Sequence, residues 1–232
     1  MTMEHNPSIL SLDQLSLFSL EEHSIGAVEL FPAVWGAAEA LTSDNLANRS
    51  KGIEILEDLQ AARFSPLIAY LLATRLTEPD RTLRAQIVRV LGEVFELDDQ
   101  GRHAPLNVRR HLKAYLSSMR TRQIFALLEV LEEAAELETQ VASLLNFCPH
   151  AGNQLLDILV NRDFRLQMRL NAANLIGRVG YIYTRPDLER LLARLEARAH
   201  GQQSMPFAPE EPGEEQVLTP ALQDALRQLR LL

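Results

Sequence analysis

One stretch, residues 65–96, constrains the fold more than any other part of the chain. It reads SPLIAYLLATRLTEPDRTLRAQIVRVLGEVFE and predicts two antiparallel helices joined by a tight turn. Ser65 can cap the first helix, and Pro66 suits its first turn, because that position needs no backbone N–H donor. Pro79 disfavours helical geometry at the residue before it, and Asp80 can cap the second helix.

The second helix of this hairpin has a single apolar stripe. Two helices that carry one apolar face each can cover each other only partly. The remaining apolar surface must meet another hairpin, which is why units of this kind form arrays. The stripe follows the spacing i, i+4, i+7, i+8 and i+11 and consists of Leu83, Ile87, Val90, Leu91 and Val94.

Weaker copies of the hairpin recur along the chain, and an arginine marks three of them. Arg49 and Arg84 are 35 residues apart, and Arg169 follows Arg84 after 85 residues. An arginine at one repeat position is predicted to be structural, bonding turn carboxylates or carbonyls between neighbouring units. Asp80 is assigned to the same structural class as the cap of a second helix.

Two further features belong to the repeat. A Leu-Gly or Ile-Gly pair lies near the end of two second helices, at 91–92 and 176–177. The long interval before the last arginine predicts a further unit, which residues 120–134 fill, with Ile124 where the other units have Arg.

A turn Asp, an Arg within the second helix and a Leu-Gly or Ile-Gly pair near its end resemble the HEAT repeat, including its short bacterial members. The resemblance covers roughly residues 30–200. It implies an all-α fold, an α-solenoid of stacked antiparallel helix pairs, and usually protein binding. Because the aligned units share length and apolar phase, we expect nine to eleven helices in a right-handed, gently curved stack. The predicted divisions are an N-terminal segment or cap (1–23), a repeat array (24–200), an acidic Pro-rich linker (201–217) and a C-terminal helix (218–232).

Details outside the repeats predict how the array is completed. Residues 10–20 predict a short helix over the open N-terminal end, or alternatively an exposed docking motif. Trp35 is predicted to lie in the core, and residues 148–150 to separate two short helices. The last helix is predicted to begin at Thr219 and either to fold back on the last unit or to dock on another chain.

Charge and composition restrict the partners. Lys and Arg number 23 and Asp and Glu 31, a formal net charge of −8, which opposes binding to phosphate-rich nucleic acid. No apolar run approaches the ~20 residues of a membrane span, and the N-terminus lacks the basic start of a secretory signal. The single Cys148 allows no internal disulfide and is typical of a reducing compartment. We expect a cytoplasmic protein with neither a membrane nor a nucleic-acid partner.

Chemistry motifs do not point to an enzyme, although the question stays open. The chain has no Gly-rich phosphate loop, His-Glu-x-x-His helix or zinc-type Cys pair, so no cofactor, metal ligand or catalytic residue is predicted. Cys148 and His150 allow a thiolate–base reading, but a packed thiol is preferred. The alternatives on a HEAT-like frame are a bilin (phycocyanobilin) lyase and, less favoured, a DNA glycosylase.

The predicted function is a non-catalytic scaffold or adaptor for protein–protein interaction. It would bind a polar protein surface along its concave face, because repeat arrays generally bind along that row. The predicted binding residues lie opposite the apolar stripes of the second helices: Gln86, Arg89 and Glu93 in the second unit, Arg122, Glu129 and Glu133 in the third, and Asn171, Asn174 and Arg178 in the fourth.

Overall fold

The computed structural model describes residue 29, residues 31–203 and residues 214–231. Within these ranges the fold is all-α, with twelve α-helices, two short 3-10 helices and no strand. The helices are α1 (Pro32–Ala40), α2 (Leu46–Asp58), α3 (Ala61–Phe64), α4 (Pro66–Thr74), α5 (Arg81–Glu93), α6 (Leu106–Leu116), α7 (Thr121–Glu133), α8 (Glu138–Leu145), α9 (Ala151–Val160), α10 (Leu166–Val179), α11 (Arg185–Gln203) and α12 (Glu214–Arg230), with 3-10 turns at Ala135–Leu137 and Ile182–Thr184.

The helix count in the described residues exceeds the nine to eleven expected. The short α3, which precedes Ser65, accounts for part of the excess, and the break around residues 146–150 separates α8 from α9 as predicted. The predicted N-terminal segment, residues 1–23, and residues 204–213 of the predicted linker lie outside the described residues.

Local hydrogen bonds explain where the helices of the central hairpin begin. Ser65 Oγ accepts a hydrogen bond from Ile68 N (3.1 Å) at the start of α4. Asp80 Oδ1 accepts one from Leu83 N (2.9 Å) at the start of α5. Each cap satisfies an amide that has no partner within its own helix, so both boundaries follow from side chains adjacent in sequence.

The second helices of successive units contact one another in chain order. Helix α2 packs against α5, α5 against α7, α7 against α10, and α10 against α12. Among the other helices, α4 contacts α6 and α9 contacts α11. The additional helix α8 packs on both α5 and α10. Apolar side chains from all these helices form one buried core.

The first of the recurrent arginines joins two units. Arg49 donates from Nη1 to the carbonyl oxygens of Ser43 and Asp44, both at 3.0 Å, in the turn before its own helix. Its Nη2 donates to Glu78 Oε1 in the next unit, at 2.8 Å. The Glu78 side chain is almost fully buried, so this pair lies mostly out of water.

The second arginine repeats this arrangement one unit later. Arg84 Nε donates to the carbonyl oxygen of Glu78 (2.8 Å), and its Nη1 donates to Glu129 Oε2 in the following unit (2.6 Å). Arg169, at the equivalent position on α10, is buried and donates to the carbonyl oxygen of Leu159 (3.0 Å). All three side chains therefore bond to backbone carbonyls at the end of the preceding helix or in the turn before their own.

The recurrent glycines are points where a later helix comes close. A Cβ at Gly177 would lie 2.7 Å from Ala225 Cα, closer than non-bonded carbon atoms approach. A Cβ at Gly92 would similarly clash with Gln140 of α8. The Leu-Gly and Ile-Gly pairs thus mark the places where α8 and α12 lie on second helices.

The C-terminal helix lies on the last unit, which is the first of the two predicted placements. Helix α12 packs on α10 and α11, and Leu222, Leu226 and Leu229 are buried. The predicted start at Thr219 is wrong, because α12 begins at Glu214 and includes Pro220. A proline inside a helix removes one backbone hydrogen bond, and its ring crowds the carbonyl four residues earlier. The fully buried Leu218 offsets this cost by packing the extra turn against the core.

The prediction that Trp35 is a core residue is also wrong. Its side chain is 49% exposed and lies outside the buried stripe of Val34, Ala37 and Ala38 on α1. The indole Nε1 donates to the carbonyl oxygen of Glu29 (2.6 Å). The apolar neighbours of Trp35 in the sequence therefore did not identify which side of α1 is buried.

Replacing Arg84 tests the contacts between units. Arg84→Ala should lower the free energy of unfolding by about 1–3 kcal/mol, because it leaves buried acceptors unpaired. The measurement is urea denaturation followed by circular dichroism. The matched control is Arg110→Ala, an exposed arginine on α6, which should change stability by less than about 0.5 kcal/mol. Equal effects from the two variants would mean that Arg84 is merely solvated.

A pair of glycine substitutions tests the close approach of α12. Gly36 on α1 has open space around it, so Gly36→Ala should raise stability by about 0.5–1 kcal/mol through helix propensity. Gly177→Ala brings the same propensity but forces Ala225 away, and overpacking of this kind costs about 1–3 kcal/mol. We expect opposite shifts in melting midpoint. A stabilising Gly177→Ala would contradict the placement of α12.

Candidate functional site

The nine predicted binding residues lie on α5, α7 and α10, three of the helices that contact one another in chain order. They do not form one uniform surface. Some line open depressions, some are bonded within the chain, and Asn171 is buried. Three zones can be distinguished, which we name the acidic cleft, the ion-pair cluster and the polar groove.

The acidic cleft lies at the C-terminal end of α5 and has a volume of about 500 Å³. Of the nine predicted residues, it includes Glu93 alone. Carboxylates predominate over guanidinium groups in its lining, so the cleft favours cationic groups. Its charged lining residues are Glu57, Glu93, Glu96, Asp98, Asp99, Arg63 and Arg102.

The position of the Glu93 carboxyl group in this cleft raises its pKa. Its partial burial raises its pKa, and the nearby Glu57 and Glu96 carboxylates raise it further. The guanidinium groups of Arg89 and Arg63 act in the opposite direction but do not cancel the shift. Arg89, another predicted binding residue, therefore lies close enough to Glu93 to share its electrostatic environment.

Arg63 builds the wall of the acidic cleft, and sequence reasoning missed it. The side chain is buried and donates from Nη1 to the carbonyl oxygens of Glu93 (3.0 Å) and Glu96 (3.2 Å). Its Nη2 donates to the carbonyl oxygen of Arg102 (2.5 Å). These bonds tie Arg63 to carbonyls at the end of α5 and in the loop that follows it; the carbonyls of Glu93 and Arg102 also accept from the backbone N–H groups of Glu96 and Asp98. The one available signal was an arginine set within the otherwise apolar segment AARF.

The ion-pair cluster connects α5 with α7 and takes up two predicted binding residues. Arg81 Nη1 lies 2.7 Å from Glu133 Oε1, and its Nη2 lies 3.6 Å from Glu129 Oε1. Glu129 also pairs with Arg84. Hydrogen bonding and attraction from Glu133 raise the pKa of Arg81. Glu129 and Glu133 are thus bonded within the chain, and a partner would have to compete with those bonds.

Three predicted residues of these helices, Arg89, Gln86 and Arg122, line neither zone. Arg122 is exposed near the start of α7, and Gln86 is half-buried in the middle of α5. Arg122 is therefore the cation of the predicted row that is most accessible to a partner without rearrangement of the ion pairs described above.

The polar groove lies between α8 and α12, with α10 as its floor, and has a volume of about 570 Å³. Arg178 crosses it toward α8, with Nη1 3.2 Å from Glu138 Oε1 and Nη2 donating to Thr139 Oγ1 at 2.7 Å. Asn174 is exposed in the floor. The complete lining is Glu138, Asn174, Gly177, Arg178, Asp224, Gln228 and Leu231.

Sequence reasoning found the floor of the groove but missed its walls. Asn174 and Arg178 follow the helical period of α10, whereas Glu138 and Asp224 belong to helices far away in sequence. No local pattern relates Glu138 to Asp224, so only the packing of α8 and α12 on α10 could bring them together.

The Cys148–His150 pair has the geometry of a packed thiol. Cys148 is completely buried, and burial raises the pKa of its thiol. His150 Nε2 lies 2.7 Å from the carbonyl oxygen of Met119, which can only accept, so Nε2 carries the proton of that bond. A nucleophilic thiol requires a lowered pKa, and burial shifts the pKa of Cys148 in the opposite direction, although His150 Nδ1 lies 3.9 Å from its Sγ. The arrangement therefore favours the structural reading.

The described residues offer neither a metal site nor a membrane-spanning helix. No group of three or more His, Cys, Asp or Glu side chains there is arranged to hold a metal ion. Likewise, none of the helices described above combines the length and apolar character that a membrane crossing requires.

Comparison of the chain with protein-family models, curated proteins and solved structures gave no match. The resemblance to HEAT repeats therefore rests on the repeat residues alone. Function has to be argued from the geometry of the described surface.

Because the pKa of Glu93 is raised, replacing it by a neutral residue should stabilise the fold, and the stabilisation should depend on pH. Because folding favours the protonated carboxyl, the charged form lowers stability once the pH rises through the folded-state pKa. Glu93→Gln should therefore raise the melting midpoint at pH 7. The gain should shrink as the pH falls toward 4.5, the ordinary pKa of the group.

The matched control for this prediction is Glu39→Gln, the same chemical change at an exposed position on α1. It should shift the midpoint little at either pH. A pH-independent gain from Glu93→Gln would indicate that packing, and not charge, is responsible.

Proposed function

We propose that this protein is a non-catalytic scaffold or adaptor that binds a polar surface of another protein along the concave side of an α-solenoid. The supporting observation is the order of contacts: α2, α5, α7, α10 and α12 pack consecutively. In repeat arrays, helices that pack consecutively present their outward polar stripes as an extended binding site.

Contacts between units support the solenoid part of the proposal. Arg49 bonds to Glu78 of the next unit, and Arg84 bonds to Glu129 of the unit after that. Contacts that link each unit mainly to its neighbours are the expected organisation of a one-dimensional array. The packing of α12 on α10 and α11 then serves as the terminal cap that such arrays need.

The charge of the surface favours a protein partner over nucleic acid. The acidic cleft collects carboxylates from Glu57 to Asp99, and these would repel phosphates. The ion-pair cluster and the polar groove carry both signs of charge. A partner that presents cationic side chains to the cleft and polar groups to the rest of the row matches this distribution. Neither the bilin-lyase nor the glycosylase alternative gains a supporting observation from the described residues.

Changing the charge of residues on the row tests the proposal once a partner has been captured from the native host, cross-linked and identified. Arg122→Glu and Glu93→Gln should each weaken binding of the purified partner at least about tenfold, or ~1.4 kcal/mol, without changing the circular dichroism spectrum, because Glu93→Gln removes a carboxylate that attracts cationic partner groups. Isothermal titration calorimetry supplies the affinity. Arg178 is a poorer choice, because it is bonded to Glu138 and Thr139.

The control for this experiment is Arg110→Glu, the same change at an exposed site on α6, outside the row of second helices. It should bind the partner as the unmodified protein does. If both row variants also bind normally, the concave-row proposal is wrong. If Arg110→Glu loses as much affinity as the two row variants, the effect is not one of a specific surface.

A further inference from the structure

The polar groove owes its shape to a glycine. At Gly177 the α12 backbone comes so close to α10 that a Cβ would lie 2.7 Å from Ala225 Cα and 2.9 Å from Gln228 Oε1. Helix α8 packs on α10 as well. Between these two helices α10 exposes Asn174 and Arg178, so the floor of the groove is polar. The two helices that form its walls pack closely on α10.

Asn171 lies one helical turn before Asn174 and is only 8% exposed. Its Oδ1 accepts a hydrogen bond from Gln167 Nε2 at 3.0 Å. Its Nδ2 is buried and has no hydrogen-bond partner among the described residues. A buried donor without an acceptor costs about 1–3 kcal/mol. Asn171 therefore destabilises the fold until another group accepts a hydrogen bond from its Nδ2.

The space beside Asn171 defines what can satisfy it. A cavity of about 30 Å³ is lined by Asn171, Asn174, Glu138, Leu131 and Ala135, enough for one water molecule or one carbonyl group. Asn174 and Glu138 also line the polar groove. The cavity therefore adjoins the groove at these two side chains.

The charges around the groove are already paired. Glu138 binds Arg178 at 3.2 Å, and Asp224 binds Arg227 at 3.0 Å. A charged ligand group would enter without a free counterion and would pay the cost of desolvation. The amides of Asn171, Asn174 and Gln228 remain, and each combines a donor with an acceptor. This inventory matches a neutral amide.

We propose that the polar groove binds a neutral amide of a peptide segment, with its carbonyl oxygen accepting a hydrogen bond from Asn171 Nδ2. The amide belongs to the main chain or to an Asn or Gln side chain of the protein partner. The site rests on the proposed function, because it names the chemistry that holds the partner at this end of the row. Asn174 and Gln228 supply hydrogen bonds to the atoms that remain in the groove.

The test uses the full-length, ¹⁵N-labelled protein and small probes in place of the unidentified partner. N-acetylglycine N-methylamide, sodium acetate and guanidinium chloride are titrated at equal ionic strength, and side-chain NH₂ signals are followed by NMR. The neutral diamide should shift the Asn171 signal in a saturable way, whereas acetate and guanidinium should not. The exposed Asn153 on α9 is the internal control and should not respond in a saturable way.

Asn171→Leu separates binding from folding. The substitution removes the unpaired donor and fills the cavity, so the melting midpoint should be unchanged or higher. The signal of Asn174 should then lose its response to the diamide, with the apparent Kd raised at least about tenfold. Asn153→Leu should retain the response of the unmodified protein.

Three outcomes would overturn the inference: acetate or guanidinium binding more tightly than the diamide, no response at Asn171, or an unchanged Asn174 response in Asn171→Leu. A crystal structure with a single ordered water between Asn171 and Glu138 that persists in saturating diamide would also overturn it. Failure here, with Arg122→Glu still weakening the partner, would leave the scaffold function standing. Failure of both experiments would contradict the proposal that the concave row binds a partner.

Discussion

Buried guanidinium groups that bridge successive units are the interaction on which the rest of the structure depends. Glu78 shows why, because its carboxylate accepts from Arg49 of the preceding unit and its carbonyl accepts from Arg84 of its own. Arg84 then reaches Glu129 in the next unit. A buried charge is costly unless it is hydrogen-bonded, so Arg49 and Arg84 favour a packing of the helices in which each meets both a carboxylate and a backbone carbonyl.

This chain of arginines is interrupted where the sequence has Ile124. The third unit has no guanidinium at that position, and the junction to the fourth unit uses other contacts. Arg165 pairs with Glu132 at 2.6 Å, and α8 packs between α5 and α10. The irregular spacing of the repeats thus coincides with a change in how neighbouring units are held together.

The same network determines which parts of the surface remain available. Glu129 and Glu133 were predicted to bind a partner but are bonded to Arg84 and Arg81. Two open depressions lie outside this cluster, the acidic cleft at the end of α5 and the polar groove beside α12. Polar side chains that join neighbouring helices are therefore not free to bind a partner. A partner can contact only the polar side chains that are not used in this way.

The sequence by itself determined the elements that depend on neighbours within one helical turn. Caps such as Ser65 and Asp80 act on amides three residues away, and the apolar stripes repeat with the helical period, so helix type and several boundaries could be predicted. The recurrence of Arg49, Arg84 and Arg169 also identified a structural position, although not its acceptors. Tertiary structure decided the rest, because it depends on which helices meet. Burial of Leu218 extended α12 past Pro220, the acceptors of Arg63 lie 30 or more residues away, and α8 and α12 made α10 the floor of a groove. Asn171 and Asn174 look equivalent in sequence, yet packing buries the first and exposes the second.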